Sequence, residues 1–301
     1  MSEIDKEIVK FNEYIPNATT ITNKSLNDFP NVKHFFELLV KDVNIQAKNV
    51  GKSFQYTEDV EKYRYFSAHG LFMDYFIRKH LSNQYNINII DRRTECILET
   101  PDDYGLCERL HDAIKRHYEI YKDPETKALD IVRSIKIVSM SHLIFFGDTI
   151  PEHEYAVNED NLHEIVKYFE SLPYHKVDLN PALGCEYFNA DADIIYDDDV
   201  IYEIKTSKFR STEANESKVP LSKFYQPIIY GFGLYKMCGI VIKKFKIYNP
   251  LLGDEYTIVL NNIDFELFER VLKHDVEIFT RLKKLLEEGV DLSLFPEEDH
   301  I

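Results

Sequence analysis

The spacing of apolar residues changes from a helical to a strand period at about residue 184, and this change most limits the possible folds. Before it, segments 31–43 and 63–81 carry apolar residues three and four positions apart, which predicts amphipathic helices. After it, the runs CEYFNADADIIY and VIYEIKTSK alternate apolar and polar residues, as strands do. The aspartates Asp197–Asp199 separate these runs and predict a turn. The sequence therefore predicts an α/β protein.

Further elements complete this outline. Helices are also predicted over four segments: 108–122, 159–171, 221–236 and 264–288. The runs GIVIKKFKIYNP and DEYTIVL predict a second hairpin, and residues 127–147 fit either a helix or a helix followed by a strand. We therefore expect a mostly helical N-terminal part over residues 1–150 and a sheet-containing core over residues 151–301.

Composition restricts the class of protein. No apolar run approaches the roughly eighteen residues of a membrane span, and MSEIDKEIVKFNEY resembles neither a signal nor a transit peptide. The cysteines are widely spaced, which indicates reduced thiols rather than disulfides or zinc ligands: Cys96, Cys107, Cys185 and Cys238. The net charge of −16 argues against nonspecific nucleic-acid binding by the whole surface. We expect a soluble cytoplasmic or nuclear protein.

The predicted hairpin concentrates carboxylates beside a lysine. Because side chains alternate across a strand, Asp191 and Asp193 share one face of the first strand, and Glu203 and Lys205 share one face of the second. If the opposite, apolar face of the second strand enters the core, Glu203 and Lys205 point together toward a cleft. Facing carboxylates repel one another unless a cation lies between them, and Mg²⁺ suits such oxygen ligands.

Two interpretations of this hairpin follow from the residues alone. In the first, Lys205 holds or deprotonates a metal-bound water, or stabilises charge that develops on a phosphorus centre. This interpretation predicts metal-assisted attack on a phosphodiester. In the second, the hairpin is an exposed acidic turn in which Glu203 and Lys205 are solvated.

The predicted helix after the hairpin adds a further motif, because Gln226 and Tyr230 lie four residues apart and share a helical face. The sequence resembles the PD-(D/E)XK nuclease superfamily, in particular its RecB-type exonuclease branch. The resemblance lies in the order, type and spacing of three motifs: Asp193, Glu203-Ile-Lys205 and Gln226-Pro-Ile-Ile-Tyr230. The resemblance covers roughly residues 60–80 and 185–260. It implies a restriction-endonuclease-like core with a central mixed sheet flanked by helices.

The resemblance also implies roles for individual residues. Asp193 and Glu203 ligate Mg²⁺ or Mn²⁺, and the carbonyl oxygen of Ile204 adds a third ligand. Lys205 orients the attacking water. The motif on the helix, Gln226 and Tyr230, positions the hairpin and the scissile phosphate. Asp191 is an alternative ligand to Asp193, which we prefer because two isoleucines follow it.

The branch places a histidine on an upstream helix, and the run SAHGLFMDYF offers His69 there. An imidazole ligand would favour Mn²⁺ over Mg²⁺. The alternative is a core histidine, since His69 shares an apolar stripe with Phe72, Met73 and Phe76. Only Cys238 follows the lysine, so we expect no iron–sulfur cluster, as in the cluster-free mitochondrial genome-maintenance and lambda-type exonucleases.

The resemblance implies a metal-dependent deoxyribonuclease, which we expect to be an exonuclease, that leaves 5′-phosphate ends. Its expected role is in DNA repair, recombination or replication. One alternative is an RNA endonuclease of the cap-snatching type, although such enzymes generally lack the Gln-x-x-x-Tyr helix. Another is a non-catalytic DNA-binding subunit with a nuclease fold. This second alternative is disfavoured because the chain keeps Asp193, Glu203 and Lys205.

The expected partner is DNA, as single strands or duplex ends, together with a replication or recombination protein. From Lys205 to Lys246, nine basic residues stand against two acidic ones. Four of them are candidate phosphate contacts: Lys208, Arg210, Lys218 and Lys223. Lys243, Lys244 and Lys246 are either further contacts or the charged outer face of an edge strand. The richness in Ile, Asn, Lys and Tyr suggests an AT-rich genome, such as that of a virus or mobile element. The pattern leaves cleavage polarity and oligomeric state open.

Overall fold

A six-stranded mixed sheet organises the described part of the chain. The computed structural model describes residues 16, 18–22, 28–51, 64–87, 159–205, 220–250 and 252–289, and the single positions 99, 112, 115 and 119. The elements are α1 (Ala18–Thr22), α2 (Pro30–Leu39), β1 (Gln46–Asn49), α3 (Arg64–Tyr85), α4 (Glu159–Glu170), β2 (Val177–Leu179), β3 (Ile194–Tyr196), β4 (Val200–Ile204), a 3-10 helix (Leu221–Phe224), α5 (Tyr225–Cys238), β5 (Lys244–Asn249), β6 (Asp254–Val259) and α6 (Phe265–Glu287).

The strand order is β1-β6-β5-β4-β3-β2. Strands β4 and β5 are parallel, and every other neighbouring pair is antiparallel. A parallel pair needs a crossover connection, and α5 lies between β4 and β5 in the sequence and supplies it. The predicted α/β class is therefore confirmed.

Helices cover both faces of the sheet. One core joins α1, α2, α5 and α6 to the sheet face that carries Ile195 and Ile201. A second core joins α3 and α4 to the face that carries Ile194, Tyr202 and Ile204. Every residue of β4 is buried, and Lys205, directly after it, has a side chain that is 25% exposed, so a cleft at Glu203 and Lys205 stays a prediction. A strand alternates its side chains between two faces, and here each face meets a helical layer.

Most predicted helices are confirmed, with shifted ends. The helix predicted over 31–43 ends at Leu39, and the one predicted over 63–81 continues to Tyr85. The hairpins β3–β4 and β5–β6 are also confirmed. The strand predicted over CEYFNADADIIY is too long, because only its last three residues form β3. The part before them makes isolated bridges, such as Cys185 with Phe188, and loops under the helix α5.

Parts from both sides of residue 150 share the sheet. Strand β1 pairs with β6 from Gln46 opposite Thr257 to Asn49 opposite Asp254, although the composition of β1 gives little strand signal. The division at residue 150 stays a prediction. The segment 127–147 and most of 108–122 lie outside the described residues. Among the helices that the structure describes, none is long and apolar enough to cross a membrane.

Candidate active site

The turn between β3 and β4 fixes which side chains face each other. Asp197 and Asp198 have φ values of 51° and 54°, and the N–H of Asp199 donates to the carbonyl of Tyr196 at 2.9 Å. Two consecutive positive φ values are typical of a type I′ turn, which suits a tight hairpin. The register pairs Ile194 with Tyr202. Carried one residue further, it places Asp193 opposite Glu203, the two residues predicted to be metal ligands.

The side chains at this end of the hairpin form a connected group. The N–H of Ile204 donates to Asp193 Oδ2 at 2.7 Å. Lys205 Nζ donates to Glu203 Oε1 and, at 3.3 Å, to Gln226 Oε1. The group continues on α5, where Gln226 Nε2 donates to the hydroxyl oxygen of Tyr230. The structure thus brings together five residues that the sequence singled out: Asp193, Glu203, Lys205, Gln226 and Tyr230.

Helix α5 can approach the hairpin closely because it carries glycine at position 233. A β-carbon at this residue would lie 2.9 Å from the carbonyl oxygen of Leu183 and 3.0 Å from its Cβ. Both distances are shorter than ordinary van der Waals contact, so a larger residue would push α5 away from the segment that leads into β3. Gly233 is therefore one reason that Gln226 and Tyr230 reach Lys205.

Burial and mutual repulsion set the charges of the site. Burial raises the pKa of Asp193, and the nearby charge of Glu203 raises it further, against the opposing effect of Lys205. Burial lowers the pKa of Lys205, but the carboxylates of Glu203 and Asp193 outweigh it and leave that pKa above its ordinary value. Burial raises the pKa of Tyr230. At neutral pH, Lys205 is therefore a cation and Tyr230 a neutral hydroxyl.

One oxygen of the site lacks a hydrogen bond. Glu203 is 2% exposed, and its Oε2 is buried without a hydrogen bond to any described residue. An unpaired buried carboxylate oxygen is costly, whereas a divalent cation would satisfy it and reduce the repulsion between Asp193 and Glu203. The donor set consequently fits a hard cation such as Mg²⁺ or Mn²⁺.

The number of protein ligands is small. Within the described ranges, no group of three His, Cys, Asp or Glu side chains is arranged to hold a metal ion. Asp193 and Glu203 offer two carboxylates, and Ile204, whose carbonyl is the third predicted ligand, follows Glu203 and donates its N–H to Asp193. Mg²⁺ is commonly bound by one or two carboxylates and keeps several waters, so this set is sufficient. His69 lies in α3, but its side chain is outside the described residues.

The other predicted residues are exposed or lie outside the described chain. Asp191 is exposed, and its charge contributes only the weakest of the effects on the pKa of Tyr230. Lys223 is exposed on the 3-10 helix. Three predicted phosphate contacts fall in the segment 206–219, outside the described residues: Lys208, Arg210 and Lys218.

The suggestion that the lysines near β5 line an edge strand is wrong. Strand β5 lies inside the sheet, between β4 and β6. Lys246 is directed at Glu255, with Nζ 2.9 Å from Oε1 and 3.0 Å from Oε2. The carboxylate of Glu255 also accepts hydrogen bonds from Tyr168 and Tyr202. Lys246 is therefore part of a polar network in the core rather than a ready contact for DNA.

Two charged residues of α3, Asp74 and Arg78, affect the charges of the site but belong to none of the sequence motifs. They form an ion pair with each other. The positive charge of Arg78 lowers the pKa of Asp193, against burial and Glu203, and the negative charge of Asp74 raises that of Lys205, against burial. Their four-residue spacing on a predicted helix was a visible signal, because an acid and a base so spaced commonly pair.

Replacing Asp193 with asparagine is expected to raise the melting temperature of the metal-free protein by a few degrees, corresponding to about 1 kcal/mol. Asparagine keeps an oxygen for the Ile204 N–H and removes the repulsion from Glu203. Because the folded-state pKa of Asp193 is raised, its contribution to stability is complete below the ordinary pKa of aspartate and is lost as the pH rises through the raised value.

Melting curves in EDTA between pH 4 and pH 8 measure this effect. The difference between Asp193→Asn and wild type should grow with pH. In Mn²⁺ the wild type should gain stability and the variant should not. A variant that is less stable than wild type at every pH would contradict the predicted repulsion.

No protein-family model, no curated protein and no solved structure matches this chain. The geometry of the site is therefore the basis for the function proposed below.

Proposed function

We propose that this protein is a metal-dependent nuclease that hydrolyses phosphodiester bonds in DNA and leaves 5′-phosphate ends. One observation carries the proposal: Lys205 Nζ is held between Glu203 and Gln226, where Glu203 faces Asp193 across the hairpin. The proposed core is restriction-endonuclease-like. The mixed sheet, the β3–β4 hairpin and the crossover helix that carries Gln226 and Tyr230 support this assignment.

The raised pKa of Lys205 favours one of the roles considered for it. A lysine with a raised pKa remains protonated at neutral pH and cannot accept a proton from water. Its ammonium group can still donate hydrogen bonds and can stabilise negative charge as it develops on the phosphate. We therefore assign Lys205 to orienting the attacking water and stabilising the transition state, and not to the role of general base.

The remaining residues complete the proposed reaction. A divalent cation held by Asp193, Glu203 and the Ile204 carbonyl would supply Lewis acidity and lower the pKa of bound water. In the hydrolysis, a bond forms between the water oxygen and phosphorus, and the bond from phosphorus to the 3′ oxygen breaks. One proton of the water ends on the 3′ oxygen, and the other stays on the new 5′-phosphate. Gln226 holds the Lys205 ammonium in place, and Tyr230 in turn accepts a hydrogen bond from Gln226.

Cleavage of end-labelled DNA tests the proposal. Single-stranded DNA, duplex DNA and RNA are incubated with the protein in Mn²⁺, Mg²⁺ or EDTA, and the lengths and ends of the products are determined. We expect metal-dependent cleavage of DNA, with 5′-phosphate and 3′-hydroxyl ends and progressive shortening from one end. Glu203→Gln should reduce the rate at least about 100-fold because it removes a ligand charge.

The chain offers a matched control for this variant. Glu269 of α6 also accepts a hydrogen bond from a lysine, Lys236, at 2.6 Å, but it lies outside the Asp193–Glu203 group. Glu269→Gln should therefore cleave at the wild-type rate. Cleavage of RNA alone would favour an RNA endonuclease, and DNA binding without cleavage would favour a non-catalytic subunit. Either result would overturn the proposed deoxyribonuclease.

A further inference from the structure

A short segment near the N-terminus pairs with the loop that leads into β3. The N–H of Ala18 donates to the carbonyl of Asn189 at 3.0 Å, and the N–H of Asn189 donates to the carbonyl of Pro16 at 3.1 Å. The same segment therefore satisfies both backbone polar groups of Asn189. Pro16 and α1 (Ala18–Thr22) together are called the strap below.

Burial of two apolar side chains anchors the strap. Ala18 is 2% exposed and Ile21 is fully buried, and they lie three residues apart, on one face of α1. Both belong to the core that also contains Ile228 and Ile229 of α5. A helix of five residues is not stable by itself in water, so this packing is what keeps α1 formed beside the loop.

The loop that the strap contacts is a small hairpin, and it ends at a predicted metal ligand. The N–H of Leu183 donates to the carbonyl of Ala190 at 2.7 Å, and the N–H of Asn180 donates to the carbonyl of Asp193 at 3.0 Å. Residues 180–193 are called the 180–193 hairpin. Because Asp193 is its last residue, a shift of this hairpin moves the carboxylate that lies opposite β4.

Helix α5 contacts the 180–193 hairpin as well. The rings of Phe188 and Phe232 pack together, with 6.1 Å between their centroids. The same helix carries Gln226 and Tyr230 of the candidate site. The hairpin is therefore held by α5 through side chains and by the strap through backbone hydrogen bonds.

We propose that the strap positions Asp193: by pairing with Asn189 it holds the 180–193 hairpin and keeps Asp193 opposite Glu203. Two facing carboxylates repel one another in the absence of a cation, so the strand that carries Asp193 needs an anchor outside the site. The inference deepens the proposed function, on which its metal-dependent part rests. Its structural part concerns the metal-free protein and stands independently.

Hydrogen exchange in EDTA tests the structural part with the variant Ala18→Pro. Ala18 is the first residue of α1, where proline is tolerated because no helical hydrogen bond uses that N–H. The substitution therefore removes the bond to Asn189 and leaves α1 itself intact. The N–H of Leu183 should exchange at least about 10-fold faster than in wild type, because its hairpin opens locally.

A second amide separates local opening from a general loss of stability. The N–H of Leu260 donates to the carbonyl of Lys243 at 2.8 Å, beside the β5–β6 hairpin. Its exchange should change by less than about 3-fold in Ala18→Pro. Equal acceleration at Leu183 and Leu260 would mean that only global stability has fallen, and that result would overturn the proposal.

Two further variants complete this experiment. Asp264→Ala also removes one hydrogen bond to a backbone N–H, at the start of α6, and should accelerate the Leu183 and Leu260 amides by equal factors. If Ala18→Pro does not fold, Ile21→Val loosens the anchor of the strap and keeps its hydrogen bonds. This variant should accelerate the Leu183 amide by about 3-fold more than the Leu260 amide. Equal factors in Ile21→Val would overturn the proposal.

Binding of Mn²⁺, followed by the electron paramagnetic resonance signal of the free ion, tests the part that rests on the proposed function. Ala18→Pro should bind Mn²⁺ about 5-fold more weakly than wild type, since the hairpin must then become ordered when the ion binds. Asp264→Ala should bind with wild-type affinity. Equal affinity of all three proteins would overturn the positioning role. No Mn²⁺ binding by wild type, with hydrogen exchange as expected, would overturn the proposed metal site and leave the hold of the strap on the hairpin intact.

Discussion

Replacing Lys205 with methionine is expected to reduce the rate of DNA cleavage at saturating Mn²⁺ by about 10³-fold. The Lys205 ammonium is in contact with Glu203 and is held by Gln226, so it lies at the place where the proposed reaction develops negative charge. Two unit charges 4 Å apart interact by about 4 kcal/mol at an effective dielectric constant of about 20. Losing that amount in the transition state corresponds to roughly three powers of ten in rate.

The rate is measured as single-turnover cleavage of end-labelled DNA, so that product release does not mask the chemical step. Lys167→Met is the matched control. Lys167 lies on α4 and pairs with Glu164 at 3.1 Å on an exposed helix face, apart from the residues assigned to the reaction. The Lys205→Met variant should still be stabilised by Mn²⁺, because both carboxylates remain. Near-normal cleavage by this variant would remove Lys205 from the mechanism.

The sequence was sufficient to predict the site wherever the relevant geometry is local. The alternation of side chains in a strand and the turn at Asp197–Asp199 together determine that Asp193 meets Glu203. In the same way, a helical spacing of four places Gln226 beside Tyr230, and the structure joins them by a hydrogen bond. These relations extend over one hairpin and one turn of helix, so no distant part of the chain can change them.

Burial could not be predicted in the same way. The sequence of β4 suggests an apolar face and a polar face, yet both are covered, because α5 and α3 pack on opposite sides of the sheet. Which helix covers a strand depends on contacts between segments far apart in the sequence. The same reason applies to Lys246. The sequence suggests a lysine on a charged outer face or in contact with DNA, whereas the structure pairs it with Glu255.

Arg78 illustrates a third situation. Its spacing from Asp74 was visible, and the pair could have been expected on an exposed helix face. The effect of its charge on the pKa of Asp193 was not visible, because more than one hundred residues separate α3 from the hairpin. Only the packing of α3 onto the sheet gives the pair its connection to the candidate site.

Replacing Asp275 with alanine is expected to cost about 3–5 kcal/mol of unfolding free energy, the largest effect on stability that we predict. Helix α2 begins at Pro30 after Phe29, which has no side chain able to cap it. Asp275 of α6 takes that role: its Oδ2 accepts from the Val32 N–H at 2.8 Å, and its Oδ1 accepts from Asn31 Nδ2 at 2.6 Å. The side chain is fully buried, so water cannot replace it after truncation.

Urea denaturation and thermal melting measure the cost, with the N-cap of α6 as a matched control. Asp264 accepts from the Leu267 N–H at 2.9 Å on an exposed helix end, where water can substitute, and Asp264→Ala should cost only about 1 kcal/mol. Asp275→Asn should fall between the two because it retains one acceptor oxygen. At a temperature where the variant remains folded, DNA cleavage should be unchanged, since Asp275 joins α6 to α2 rather than to the hairpin. Equal costs for Asp275→Ala and Asp264→Ala would mean that the buried carboxylate does not hold the start of α2.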